Sequence, residues 1–271
     1  MTQVTALRGQ TLSFSGDAFA KGLEDTMVYE SDGMVVIEGG HITQAGSAVD
    51  LLSSLPPDAI IENYGSDHII MPGFIDCHVH YPQTQIIGAF GKQLIDWLNE
   101  YTFIAEQQFS DKAHAKEVAK VFLQECLKAG TTTSSVFCTV YPQSVDAFFE
   151  ESSALNMRMI AGKVLMDRNA PVALQDTAQQ GYDETKALVN YWSGRGRVEV
   201  AVTPRFALTS TEAQLEAAGA LVQEFPSALM QTHLSENHAE IEAVTKLFPA
   251  AKDYTDVYAQ YGLLTPQSLM G

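Results

Sequence analysis

The sequence is poor in cysteine, in basic residues and in long apolar runs, and each shortage narrows what it can be. Its three cysteines, Cys77, Cys126 and Cys138, are scattered and odd in number, which argues against a disulfide framework and for a reducing compartment. No run of about eighteen apolar residues occurs, and residues 1–10 carry no apolar signal core, so the expectation is a cytoplasmic protein with no membrane partner. Only 16 basic residues stand against 33 acidic ones, a formal net charge of -17. Such a surface repels phosphate backbones, so nucleic acid is not expected as a partner. With no Lys/Arg cluster to receive an anion, a small neutral substrate is the simpler reading. What remains is 271 residues that are 46% hydrophobic and 18% charged, enough for one barrel-sized domain or two smaller ones.

Residues 1–70 read as β. Met34-Val35-Val36-Ile37-Glu38-Gly39-Gly40-His41-Ile42 is a strand, a Gly-Gly turn and a second strand, and 60–64 is another short strand. From residue 72 the pattern becomes strand–helix alternation. Helices are predicted over 111–130, 145–155, 174–192, 210–225 and 236–248, with strands over 131–138, 158–165, 198–202 and 228–233 between them. Alternation of this kind means parallel βαβ units. Counting from residue 72 there are five strands, each followed by helical sequence, and a sixth begins at Met270-Gly271. The expected division is a sheet domain over 1–70 and an α/β domain over 71–271. An eight-stranded barrel needs more chain than this, so the sequence reads as the front portion of a longer protein; the alternative is an open doubly wound sheet, complete as it stands.

The candidate chemistry starts at Pro72-Gly73-Phe74-Ile75-Asp76-Cys77-His78-Val79-His80. With the preceding Ile69-Ile70-Met71 it reads as a short buried strand. Strand side chains alternate, so His78 and His80 face the same way and can grip one divalent metal. Asp76 is a candidate partner for a ligand histidine. The fifth strand ends at His233, with Glu236 one turn on. Strand ends of a barrel converge on one face, so His233 can meet the pair although it lies 153 positions beyond His80. The plainer alternative makes His233 a core histidine and Glu236 an acid favoured by a helix N-terminus. His41, His68, His114 and His238 read as incidental.

The nine residues from Pro72 to His80 resemble the first barrel strand of the amidohydrolase superfamily. That resemblance implies a (β/α)8 TIM-type barrel, here its first five to six strands, after part of a small β-sandwich domain. It implies that His78, His80 and His233 bind the metal and that Glu236 shuttles protons. Strand four ends without the lysine that bridges two metals in other members, and Lys163, inside strand three, reads as structural; one divalent ion is expected, zinc with iron as the alternative. Further segments, Tyr81-Pro82-Gln83, 94–103, Met-Asp-Arg-Asn-Ala-Pro at 166–171 and Thr203-Pro204-Arg205-Phe206-Ala207, are similar to the guanine-deaminating branch of that superfamily. The branch implies metal-activated hydrolysis of guanine to xanthine and ammonia. It implies a purine held by Gln83, Arg205 and Phe206, with Trp97 as a second stacking face and His80 and Glu236 also against the substrate. A plain packing role for Trp97, and a rim ion pair for Arg205, stay open. The branch's strand-six histidine and strand-eight aspartate would lie beyond residue 271, so the fragment alone is expected to be inactive. Homodimerisation is implied as well, with no interface identified. Open alternatives are an amidohydrolase acting on cytosine, an adenosine derivative or a triazine, and a non-catalytic barrel serving as a scaffold.

Overall fold

The computed structural model describes residues 3–90 and 93–271. The chain divides into two compact units, Met1–Gly73 and Phe74–Gly271. Among the described residues no helix is long and apolar enough to cross a membrane.

The first unit is a five-stranded mixed sheet. Strands β1 (Val4–Phe14), β2 (Met27–Glu38) and β3 (His41–Ser47) pair antiparallel, while β4 (Ile60–Asn63) and β5 (Ile69–Ile70) both run parallel to β1. The expected Gly-Gly turn is there: Gly39 and Gly40, with φ of 59° and 80°, join β2 to β3 in backbone conformations that residues with a Cβ adopt only at a cost. Short helices α1 (Ala18–Lys21), α2 (Leu23–Thr26) and α3 (Ala48–Leu52) complete the unit, whose small core is Ala6, Met34, Val36 and Ala48.

One expectation is corrected at the junction. Ile69-Ile70 does not run on into the histidine strand; it pairs with β1, and β6 (Phe74–His80) begins only after Pro72-Gly73. Proline offers no N–H to a ladder, so the strand breaks there. Nor is β6 buried at its start: Phe74 is 53% and Ile75 70% exposed, because among the described strands only β7 lies beside it.

The second unit is parallel α/β. Strands β6, β7 (Thr131–Phe137), β8 (Arg158–Gly162) and β10 (Val198–Val200) are neighbours in that order. The continuation β9 (Val164–Leu165) pairs with β11 (Thr203–Pro204), and β12 (Met230–Thr232) with β13 (Ser268–Met270); a parallel bridge from Val202 to Met230 links the two sets. Spatial order follows chain order, with no reversal of the kind that defines a doubly wound sheet, so that alternative is set aside. Around the strands lie α4 (Leu94–Trp97) and α5 (Phe103–Gln107), joined by a π-helical turn at Leu98–Thr102, then α6 (Lys112–Lys128), α7 (Pro142–Ala154), α8 (Ala178–Trp192), α9 (Glu212–Glu224), α10 (His238–Leu247) and α11 (Tyr254–Gln260).

Helix starts follow the caps rather than the apolar spacing. Asp111 caps α6 as expected, and Gly130, at φ +83°, ends it. The helix expected from 145 begins at Pro142, whose ring suits a first turn. The one expected from 174 begins at Ala178, capped by Thr177, and the one expected from 210 at Glu212, capped by Thr211. The one expected from Glu236 begins at His238. There Asn237 and Glu240 form a reciprocal capping box, and this places Glu236 in the loop before the helix.

Strand ends are held by buried polar contacts. Gln231 accepts from Ser135 Oγ at 2.7 Å and donates to the Val136 carbonyl at 2.9 Å and to Thr203 Oγ1 at 3.1 Å, so one side chain ties three strands together. Gly162 sits where a Cβ would meet Thr203 Oγ1 at 2.0 Å and the Ala201 carbonyl at 2.2 Å. We expect Gly162→Ala to cost about 1–3 kcal/mol by overpacking. It should appear as a lower urea midpoint at unchanged slope; a wild-type midpoint would refute the close-packing account.

Candidate active site

The ends of β6, β11 and β12 and the turns after them surround one cavity of about 110 Å³, lined by His78, His80, Gln83, Leu94, Trp97, Leu98, Arg205, Phe206, His233 and Glu236. Every residue singled out from the sequence as ligand, substrate contact or proton shuttle is on its wall. Leu94 and Leu98 were not foreseen. On the same measure a single water needs roughly 10–15 Å³, so the space suits a small molecule.

Alternation along β6 puts His78 and His80 on one face, their ring centroids 5.4 Å apart, and His233 closes the triangle at 4.6 and 4.9 Å. Their nitrogens lie within 4.8 Å of one another, the one such group of His, Cys, Asp and Glu side chains among the described residues. Beneath them lies Phe137, fully buried at the end of β7 and opposite His80 in the strand register. Its ring stacks on His80 at 4.6 Å and tilts against His233 at 4.5 Å. Sequence reasoning passed over this residue, which looks like any strand phenylalanine.

The tautomer of His233 follows from its partner. Nδ1 lies 2.7 Å from the Arg205 carbonyl oxygen, which can only accept, so Nδ1 carries the proton and Nε2 presents its lone pair. That lone pair points at His80 Nε2, 2.8 Å away. His80 Nδ1 is buried without a partner. All three imidazoles are held below the ordinary histidine range, His233 at about 3. Burial is the first cause in each case and the Arg205 charge adds to it, while Asp76 opposes at His78. They are therefore neutral near neutral pH, the form that ligates a metal. Converging neutral imidazole nitrogens with one tautomer set by a backbone carbonyl form a donor set suited to a divalent transition metal.

Asp76 partners His78 through the main chain. Its carboxylate accepts the His78 backbone N–H at 3.1 Å, closing a local turn within the strand rather than orienting a ring; at a spacing of two residues that bond is the nearer option. Lys163 lies away from the cavity, as expected. It is fully buried and paired with Asp176 at 2.5 Å and Glu184 at 3.2 Å.

Arg205 combines two roles. Its carbonyl takes the backbone N–H of His233 at 3.0 Å, the His233 ring, and Thr232 Oγ1 at 3.3 Å. Its guanidinium, 3% exposed, gives Nη1 to both oxygens of the wholly buried Glu106 at 2.9 Å and lies 5.6 Å from the Phe103 ring centroid. The ion pair weighed as an alternative for Arg205 thus exists, and the residue also lines the cavity. No hydrogen bond among the described residues engages Nε or Nη2. The amide of Gln83, in the turn Tyr81–Ile86 that follows β6, is equally unengaged. Trp97 also serves both readings: its Nε1–H donates to the Ala89 carbonyl at 3.1 Å, and its ring packs with the buried Leu98 and Phe206 cluster while facing the cavity. Tyr258 ties the segment after Phe206 to the end of β12, accepting from the Ala207 N–H at 3.0 Å and donating to the His233 carbonyl at 2.7 Å.

Glu236 follows Ser235, which stands at φ +61°, and lines the cavity. The residue remains accessible to solvent. Partial burial holds it above the ordinary glutamate range, with Glu240 adding to that effect and Arg205 opposing it. A raised carboxyl beside converging imidazoles suits a group that accepts and returns a proton.

Residues 69–271 match the model of the amidohydrolase family. The chain is 46% identical over 232 residues to the guanine deaminase of Escherichia coli, an alignment covering 86% of this chain and 53% of that protein. It superposes on the E. coli guanine deaminase structure with a TM-score of 0.94 at 41% identity, covering 98% of this chain and 62% of that one. On the C. acetobutylicum guanine deaminase with bound guanine in its active site the TM-score is 0.88 at 26% identity, covering 99% and 62%. The chain thus spans about half the length of the curated relatives it matches.

Proposed function

We propose that this chain, which belongs to the amidohydrolase family, forms the metal-binding and base-reading part of a guanine deaminase. The observation that carries this is the joint wall of one cavity: three metal-competent imidazoles, an acid with a raised pKa, a free amide, a half-engaged guanidinium and two aromatic faces. The sequential parallel strands are read as consecutive strands of a (β/α)8 barrel, and the first unit as part of a β-sandwich.

Guanine is flat and presents a carbonyl, ring nitrogens and an exocyclic amine. The open Nε and Nη2 of Arg205 suit the carbonyl oxygen, and the Gln83 amide can donate to one ring position while accepting from another. Phe206 and Trp97 cover the faces, a contact worth roughly 1–3 kcal/mol per base where measured. His78, His80 and His233 hold one divalent ion, zinc being the ion proposed and iron the alternative. When bound, such an ion lowers the pKa of water and so supplies the nucleophile at neutral pH. Ionised Glu236 takes a proton from the attacking water and delivers it to a ring nitrogen beside the reacting carbon. As the new C–O bond forms and the C–N bond breaks, Glu236 passes the water's remaining proton to the departing amine. Guanine and water become xanthine and ammonia, and Glu236 ends as it began. A glutamate that is not a ligand does the same work in zinc nucleobase deaminases of another fold.

The test is ammonia release by the complete gene product, supplied with zinc, from guanine, cytosine and adenine. Release from guanine alone is the expected result. Comparable release from cytosine or adenine, or none at all with roughly one ion bound per chain, would end the proposal.

A further inference from the structure

The segment Met-Asp-Arg-Asn-Ala-Pro at 166–171, one of those that carry the resemblance, puts none of its side chains on the cavity wall. Its polar side chains instead reach across to the segment that follows Arg205-Phe206. Arg168 Nη2 donates to the Ala207 carbonyl at 2.9 Å and Asn169 Nδ2 to the Leu208 carbonyl at 2.8 Å. The Thr209 carbonyl accepts from the backbone N–H groups of Asp167 at 3.0 Å and Arg168 at 3.2 Å. The Asp167 carboxylate accepts the Thr211 backbone N–H at 2.7 Å and the Thr211 hydroxyl. Every carbonyl from 207 to 209 is thus taken by 167–169.

The clamp is itself anchored. Asn169 stands at φ +50°, a left-handed turn that asparagine tolerates better than most residues and that aims its amide at the segment. At its far end the loop is pinched shut. Asp176 N–H donates to the Met166 carbonyl at 2.8 Å, and the Asp176 carboxylate receives Lys163 Nζ and Gln214 Nε2, the latter at 2.7 Å. The buried lysine set aside as structural therefore holds the base of this loop. Phe206 lies between two fixed points: Arg205 N–H donates to the Leu165 carbonyl at 3.2 Å, and the Ala207 carbonyl is the one held by Arg168.

We infer that Asp167, Arg168 and Asn169 are positioning residues that set where the Phe206 ring meets the base. They act on guanine affinity without touching guanine, so the inference rests on the function proposed above. Stacking is binding shared by ground state and transition state, so its loss raises KM and spares kcat.

The variant is Asn169→Gly in the complete gene product. Asn169 is solvent-exposed, and glycine accepts its backbone angle, so folding is retained while one anchor is removed. We expect KM for guanine to rise about fivefold, the scale of one hydrogen bond. Bound zinc per chain and kcat (within about twofold) should stay as in wild type, and the thermal midpoint should fall by only about 2–4 °C. Arg168→Lys, which keeps a charge but not the planar fork, should raise KM in the same sense. Wild-type turnover of guanine with KM unchanged in both variants overturns the inference while the function stands. A wild-type protein that binds zinc but does not turn over guanine overturns the functional reading itself. A fall in kcat and bound zinc without a change in KM would assign the loop to the metal site and also overturn the inference.

Discussion

Glu236→Gln should lower kcat for guanine by about two to four orders of magnitude, the range that a positioned acid–base group supplies. The amide keeps the size and polarity of the side chain but cannot take a proton from water. The three imidazoles do not depend on it: His233 is oriented by the Arg205 carbonyl, and His78 and His80 by their strand. Bound zinc per chain and KM should therefore stay close to wild type, and kcat and kcat/KM should fall together. Steady-state kinetics beside metal analysis decides the matter. Retention of more than about a tenth of wild-type kcat would remove Glu236 from the proton path. Loss of zinc along with activity would make it a ligand instead.

The second large effect is expected at Glu106, where Glu106→Gln should fail in both stability and binding. Arg205 is 3% exposed and Glu106 not exposed at all, and the carboxylate is the one acidic partner of that guanidinium among the described residues. Breaking a buried pair from one side leaves a buried charge uncompensated, at about 3–5 kcal/mol. Glutamine still offers one oxygen, so its cost should sit at the lower end of that range. The guanidinium would then turn toward other acceptors and lose the orientation that Glu106 gives it at the cavity wall, and KM for guanine should rise by at least tenfold, a change worth about 1.4 kcal/mol. Replacing both partners with apolar residues separates the two effects: Glu106→Leu with Arg205→Met should recover most of the stability and none of the affinity. A Glu106→Gln protein with wild-type urea midpoint and wild-type KM would show that Arg205 is held by something else.

These two residues differ in how far the sequence reveals them. Glu236 follows a strand-end histidine at a spacing that suggests chemistry. Glu106 carries no such mark. It sits in Phe103-Ile104-Ala105-Glu106-Gln107, in α5, and its partner is 99 positions away. Pairing at that range is created by the packing of α5 against the strand ends and leaves no periodicity to read. Phe137 escaped for a related reason: it faces the histidines only because β7 lies beside β6 in a register that sets it opposite His80. Asp76 meets His78 by a route the sequence leaves open. It is near enough in sequence to suggest a partner for a ligand histidine, and for that same nearness it bonds the backbone two residues on. The 166–171 stretch carried a family resemblance but not its job, because its hydrogen bonds go to the main chain of a segment about forty positions later.

Features set by neighbours within a few residues were determined by the sequence itself. These include the strand–helix alternation, the shared face of His78 and His80, the Asp111 cap, the Gly130 stop and the Gly-Gly turn. Each rests on a backbone period or a local steric preference that operates before any folding is complete. The tertiary structure alone decided the pairing of Arg205 with Glu106, the tautomer of His233, the aromatic floor under the three imidazoles and the clamp behind Phe206. Each of those joins groups that meet only after the strands have closed side by side, when burial removes water as the competing partner and makes the contact between distant residues decisive.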